Sequence, residues 1–209
     1  MNTFICFILG YLFGCTNPAA LISKAKNIDL RHEGTGNLGA TNVGLVIGRN
    51  AGLFVMVFDI LKAFIAVRLA RRLFPKFLLA GLIAGNGAIV GHVFPFHMKF
   101  RGGKGLAAFG GMVLAYDPRM FFFLLTLGGI LCVIINYSFA LPISAGFLFP
   151  ILAGWKARSL MIFLAAIVPS ALVVIKHWSN IGKAMRGEDN KFRETFMEKM
   201  FNKKIGSNR

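Results

Sequence analysis

Gly105-Leu-Ala-Ala-Phe-Gly-Gly-Met-Val-Leu-Ala-Tyr-Asp117 and Phe139-Ala-Leu-Pro-Ile-Ser-Ala-Gly-Phe-Leu-Phe-Pro-Ile-Leu-Ala-Gly-Trp155 are the two apolar runs on which the fold turns. Both are short beside the roughly 20 residues that a spanning helix needs. Around them lie five further apolar runs, near 4–23, 51–70, 77–95, 120–135 and 159–175. If both short runs cross, the chain is an all-α polytopic membrane protein of about seven transmembrane helices, with its termini on opposite sides. The positive residues then divide unevenly: Lys24, Lys26, Arg31, Arg49, Lys99, Arg101, Lys104 and those from Lys176 onward fall on one side. Fewer fall on the other, although Arg68, Arg71, Arg72 and Lys76 gather there. By the positive-inside rule the N-terminus is expected outside and the C-terminus in the cytoplasm. Residues 4–14 have the apolarity of a secretory signal, but Met1-Asn2-Thr3 carries no cation, so a retained first span is expected.

The 209 residues hold 22 Phe and 24 Lys and Arg against 8 Asp and Glu, a net charge of +16. Long apolar runs separated by short basic ones are the pattern of membrane spans and their loops, and disfavour a nucleic-acid binder. Juxtamembrane cations meet anionic lipid headgroups and can also hold anionic substrates. Cys6, Cys15 and Cys132 lie singly inside apolar runs and form neither a disulfide framework nor a metal motif. Asp59 and Lys62 are three residues apart within the second span. Each charge alone costs roughly 2.5–3.5 kcal/mol at mid-bilayer, so a structural ion pair inside the bundle is expected. After Gly187 the chain turns polar, and Phe192, Phe196, Met197, Met200 and Phe201 recur among charged residues. That spacing predicts an amphipathic surface helix, and with it a division into a membrane domain over 1–192 and a basic tail over 193–209.

The chemistry-bearing residues sit where the spans stop. Glu33-Gly-Thr-Gly-Asn-Leu-Gly-Ala-Thr-Asn-Val43 matches GxGxxG, but follows a membrane helix where a dinucleotide fingerprint follows a strand. Its glycines let backbone N–H groups converge on an anion, and Thr35, Asn37, Thr41 and Asn42 can add hydrogen bonds. Gly91-His92-Val-Phe-Pro95 and Phe100-Arg-Gly102-Gly103-Lys104-Gly105 form the second segment. It lacks the hydroxyl residue and the spacing of an NTPase loop, yet a glycine-flanked lysine is suited to hold phosphate as a point charge. The third is Lys176-His177-Trp-Ser-Asn180-Ile-Gly-Lys183 with Arg186-Gly-Glu188, in which His177 and Asn180 share a helical face. His92 and His97 are too isolated to suggest a metal site. No His is followed five residues on by Asp, which excludes the His–Asp arrangement of acyl-thioester-dependent acyltransferases.

In order, spacing and flanking spans, these segments resemble the three motifs of the acyl-phosphate-dependent glycerol-3-phosphate acyltransferases of the PlsY type, over nearly the whole chain to about Phe192. The resemblance implies seven spans with the motifs on the cytoplasmic side of a bacterial inner membrane. It implies acyl transfer from acyl phosphate to glycerol 3-phosphate, giving lysophosphatidic acid and phosphate, without cofactor or metal. The enzyme that supplies acyl phosphate is then an expected partner. Carried over by position, His177, Asn180 and Lys104 are expected in catalysis. Thr35, Gly36, Asn37, Asn42, Arg49, Gly102, Gly103 and His92 are expected to bind phosphate or substrate, and Asp59, Lys62 and Glu188 to be structural. The motif differs in having Leu45 where the family has Arg, with Arg49 one turn away if the stretch is helical. Leu45 also recommends an alternative, a weakened paralogue that binds acyl phosphate or phospholipid as a regulator. A transporter is disfavoured by the lack of repeat halves.

Overall fold

A computed structural model of the chain describes residues 1–188 and 191–194. Among them are nine α-helices and no strand. Helix α1 (Asn2–Cys15) is continued after a break by α2 (Pro18–Ala25); α3 (Ala40–Val46) is short, and α4 (Arg49–Leu73) is long. Then follow α5 (Ala80–Val93), α6 (Leu106–Tyr116), α7 (Pro118–Ile135), α8 (Ala140–Ala157) and α9 (Leu160–Met185). Each apolar run thus becomes a helix. The expected amphipathic positions Phe196, Met197, Met200 and Phe201 lie outside the described residues.

The span over 4–23 is interrupted at Thr16-Asn17-Pro18. Pro18 cannot donate within a continuing helix, and the Asn17 side chain accepts from Ala20 N at 2.9 Å to start α2 afresh. The runs at 77–95 and 105–117 are cut shorter than expected, to 14 and 11 residues. At 1.5 Å per residue these helices measure about 21 and about 17 Å, less than the roughly 30 Å hydrocarbon core. Pro95 and the glycines at 102, 103 and 105 stop the helices and leave a loop packed within the bundle, where buried non-helical backbone is tolerated. Four stretches are long and apolar enough to cross by themselves: Asn2–Ala25, Pro118–Ile135, Ala140–Ala157 and Leu160–Met185. Helix α4 has the length but carries Asp59, Lys62 and Arg68. The last span runs beyond the expected 175, so the third motif is helical to Met185.

The bundle is apolar outside, and its few deeply placed polar side chains face inward among an apolar core. Leu53, Phe54, Phe122, Ile130 and Ile151 are exposed, whereas Asp59, Lys62, Asn86, His92 and His177 are buried. Polar groups at membrane depth belong on the inside, where protein partners replace water. Helices α1 and α5 run side by side through small residues: a Cβ at Gly14 would strike the Ala88 carbonyl, and one at Gly91 the Tyr11 carbonyl. Pro169 frees the Ala165 carbonyl within α9, and the Asn86 amide of α5 donates to it at 3.0 Å. At the end away from the motifs, Asp117 caps α7 by accepting from Arg119 N at 2.8 Å and is paired with Lys156. The Lys156 ammonium holds the Asp117 carboxyl below its ordinary range.

Candidate active site

The three motif segments meet at one end of the bundle. Lys104 Nζ donates to Asn180 Oδ1 at 2.5 Å, tying the second segment to the third. Arg31 Nη2 donates to the Arg101 carbonyl at 3.1 Å, tying the region before the first segment to the second. On α9, His177 Nδ1 lies 2.8 Å from the Val173 carbonyl. A carbonyl can only accept, so Nδ1 carries a proton, and in the neutral ring Nε2 then keeps its lone pair.

Behind Lys104 stands a buried triad. Lys62 Nζ lies 2.7 Å from Asp59 Oδ1 and 2.9 Å from His92 Nδ1, and donates to the Thr16 carbonyl at 2.6 Å. The ion pair expected within α4 therefore also grips α5 and the break between α1 and α2. An ammonium has only donors, so His92 Nδ1 accepts here. The His92 ring packs on Gly103, where a Cβ would overlap its Nε2, and Gly103 N donates to the His92 carbonyl at 3.1 Å. Gly102 N donates to the Val93 carbonyl at 3.0 Å.

Three expectations change here. Gly102 and Gly103, expected to bind phosphate or substrate, donate their N–H groups to the end of α5; what requires glycine is the close seating of the lysine loop on His92. Asn42, also expected to bind phosphate, is fully buried. Its Nδ2 donates to the Leu30 and Glu33 carbonyls at 2.9 and 3.0 Å, and its Oδ1 accepts from Thr35 N at 2.7 Å. It shapes the glycine loop from within. Arg49 lies one turn from Leu45 only if a single helix carries both, but α3 ends at Val46 and Gly48, at φ 138°, breaks the chain before α4. Arg49 is exposed at the start of a separate helix.

Asn42→Ala strands the buried Leu30 carbonyl and releases the Glu33 carbonyl and the Thr35 N–H, both on exposed residues. With the unsatisfied buried group dominating, it is expected to destabilise the protein by about 1–3 kcal/mol. A lowered melting temperature in detergent, with a higher KM for the anionic substrate, checks this.

A cavity of about 460 Å³ opens at the junction of the segments. At one end it is lined by Asn37, Thr41, Asp59, His92, Lys104 and His177. It continues as an apolar slot past Ile60, Val113, Phe121, Leu124 and Leu141. Asn180 reaches it through Lys104. Thr35, Gly36, Gly102 and Gly103 do not line it, and Thr35 and Gly36 are exposed on the adjoining loop. Glu188 lies past the end of α9, where its carboxylate accepts from Arg186 Nε and Nη2 at 2.8 and 2.9 Å. That local fork holds the chain as it leaves the helix. The apolar wall was not anticipated, because its residues look in sequence like any others in an apolar run.

A polar end with a lysine and a histidine, continuous with an apolar slot, is a site for an amphiphile with an anionic head. Residues 4–187 match the sequence model of the family described as Glycerol-3-phosphate acyltransferase. The chain belongs to that family. Among its relatives, the glycerol-3-phosphate acyltransferase of Thermoanaerobacter sp. (strain X514) is 34% identical over 192 residues, 91% of this chain and 96% of the relative. That of Aquifex aeolicus (strain VF5) is 35% identical over 92% of this chain and all of its own length. The fold is similar to the crystal structure of PlsY (YgiH), an integral membrane glycerol 3-phosphate acyltransferase, in its glycerol 3-phosphate form. The TM-score is 0.84 at 29% identity, covering 92% of this chain and 96% of that one. The lysophosphatidic acid form of that enzyme gives a TM-score of 0.81 at 28% identity, covering 91% and 95%. This acyltransferase family is thus integral to the membrane in its solved member, as the apolar exterior requires here.

Proposed function

We propose that this enzyme transfers a fatty acyl group from acyl phosphate to glycerol 3-phosphate at the cytoplasmic face of the plasma membrane. The observation that carries the reading is the single cavity that joins Lys104 and His177 to an apolar slot: a phosphate head and an acyl tail fit its two ends. The acyl phosphate is a mixed anhydride, so the chemistry asks mainly for positioning, charge neutralisation and a proton acceptor.

In this reading the phosphate of the donor sits against the Lys104 ammonium, which Asn180 aims, and its acyl chain lies along the slot. Asn37 and Thr41 offer hydrogen bonds to the glycerol phosphate. A glycerol hydroxyl oxygen attacks the acyl carbonyl carbon; the new C–O bond forms as the bond from that carbon to the phosphate oxygen breaks. The hydroxyl proton passes to His177 Nε2 or to an oxygen of the departing phosphate, and Lys104 stabilises the charge on the leaving group. Seven crossings, with the N-terminus outside, would put all three motifs at the cytoplasmic face. The named relatives favour this enzyme reading over that of a regulator. The basic tail beyond residue 192 suits anionic headgroups at the same face.

The donor distinguishes this chemistry from acyl-thioester enzymes. Purified protein in detergent is expected to incorporate radiolabelled glycerol 3-phosphate into lysophosphatidic acid with palmitoyl phosphate and not with palmitoyl-coenzyme A. Labelling that requires the thioester would overturn the assignment of the donor.

A further inference from the structure

We propose that Phe121, seated against the side-chain-free face of Gly110, is the stop that sets which acyl-chain length this enzyme uses; the inference rests on the acyl-transfer reading above. Gly110 and Phe121 both line the cavity, on α6 and α7. Helix α6 runs away from the Lys104 loop and α7 begins at its far end, separated only by Asp117, so Phe121, in the first turn of α7, enters the slot from the end away from Lys104. Along α6, the distance from Gly105 to Val113, the last of its residues lining the cavity, is about 12 Å.

Beyond that depth the bundle is filled. There Tyr116 meets Phe149 edge-on with ring centres 5.8 Å apart, and Phe149 is braced in turn by Phe109 of the cavity wall at 5.5 Å. The Arg71 guanidinium lies 5.4 Å from the centre of the Tyr116 ring and donates to the Ala115 carbonyl at 3.1 Å, closing the end from outside. An acyl chain advancing along α6 therefore meets Phe121 before a packed wall that cannot retreat.

The width at Gly110 is set closely. A Cβ there would lie 3.4 Å from Phe121 Cε2, ordinary contact, so a methyl fits and a branched side chain must push the ring or enter the slot. The slot has an open flank. Helices α4 and α7 both pack on α6 and barely touch each other. Met56 of α4 and Leu125 of α7, each lining the cavity, are 40% and 45% exposed. Chains longer than the slot must turn out between them into the bilayer, so the ring governs how well each length is accommodated and not merely whether it binds.

A competition assay with equimolar dodecanoyl, hexadecanoyl and octadecanoyl phosphate tests this, with the lysophosphatidic acids resolved by mass spectrometry. Phe121→Ala is expected to raise the octadecanoyl-to-dodecanoyl product ratio by about tenfold, and Gly110→Val to lower it by about as much, the scale on which apolar pockets discriminate. Phe123→Ala, at an exposed ring of the same helix that does not line the cavity, is expected to leave the ratio unchanged. Phe121→Leu provides a milder variant, expected to shift the ratio part of the way. Equal loss of rate on all three donors in the Phe121 and Gly110 variants, with unchanged ratios, would overturn the inference while leaving acyl transfer intact. A parent protein that makes no product from any acyl phosphate would overturn the acyl-transfer reading, and this inference with it.

Discussion

Replacing Lys104 with Ala is expected to lower the rate of acyl transfer by about a hundred- to a thousandfold, the range seen when one group aimed at developing charge is removed from a closed site. Lys104 lines the polar end of the cavity and is held at 2.5 Å by Asn180. Its loop is set by the amides of Gly102 and Gly103, which donate to the end of α5, so truncating the side chain leaves that scaffold in place. The melting temperature should therefore stay near that of the parent. Lys104→Arg keeps the charge but spreads it over a planar fork, and is expected to recover only part of the rate, because the loop is shaped around a single point of charge. Steady-state kinetics on palmitoyl phosphate, with a thermal melt of each variant, separates lost chemistry from lost fold.

Asp59→Ala should show the largest effect on stability. Lys62 is 4% exposed and Asp59 2% exposed. Removing the carboxylate leaves a buried ammonium whose remaining partners among the described residues, His92 Nδ1 and the Thr16 carbonyl, carry no negative charge. Breaking one side of a buried pair costs about 3–5 kcal/mol, chiefly from the charge left behind. The variant should melt well below the parent in detergent. Adding Lys62→Met should restore much of the melting temperature, since removing both charges also removes the uncompensated one. It should restore less of the activity, because His92, which seats Gly103 and so Lys104, would then lack its Lys62 partner. If the double variant melts no higher than Asp59→Ala, uncompensated charge is not the cause of the loss.

The fold was legible in the sequence where composition alone decides it. Seven apolar runs became helices because apolar side chains in a bilayer have nowhere else to go and the backbone must bond internally. Helix ends were less legible: those at Val93 and Leu106 depend on a loop that survives at depth only because His92 and Leu38 pack on it. The Asp59–Lys62 pair could be read from its spacing on one face. Its other partners, His92 and the Thr16 carbonyl, lie 30 and 46 residues from Lys62 and could not.

The same division holds at the site. That Lys104, His177 and Asn180 belong together followed from the order of the motifs, and the Lys104–Asn180 hydrogen bond gives their meeting a geometry. The seating of the lysine loop could not be read in this way, because a loop's N–H groups are open to an anion only when no carbonyl already holds them, and the carbonyls of Val93 and His92 take those of Gly102 and Gly103. Asn42 misled for a similar reason, its amide being consumed by the loop it shapes. The apolar slot was hidden because it depends on which face of α6 carries Gly110 and Val113, and that becomes visible only when α7 is laid against it.

The most direct measurement is the simultaneous yield of phosphate and lysophosphatidic acid from the detergent-purified parent protein given palmitoyl phosphate and glycerol 3-phosphate, beside Lys104→Ala and His177→Ala. The two products should appear in equal amounts from the parent and fall together in both variants. Phosphate released without lysophosphatidic acid, or equal turnover in the parent and both variants, would contradict the assignment of acyl transfer to this cavity.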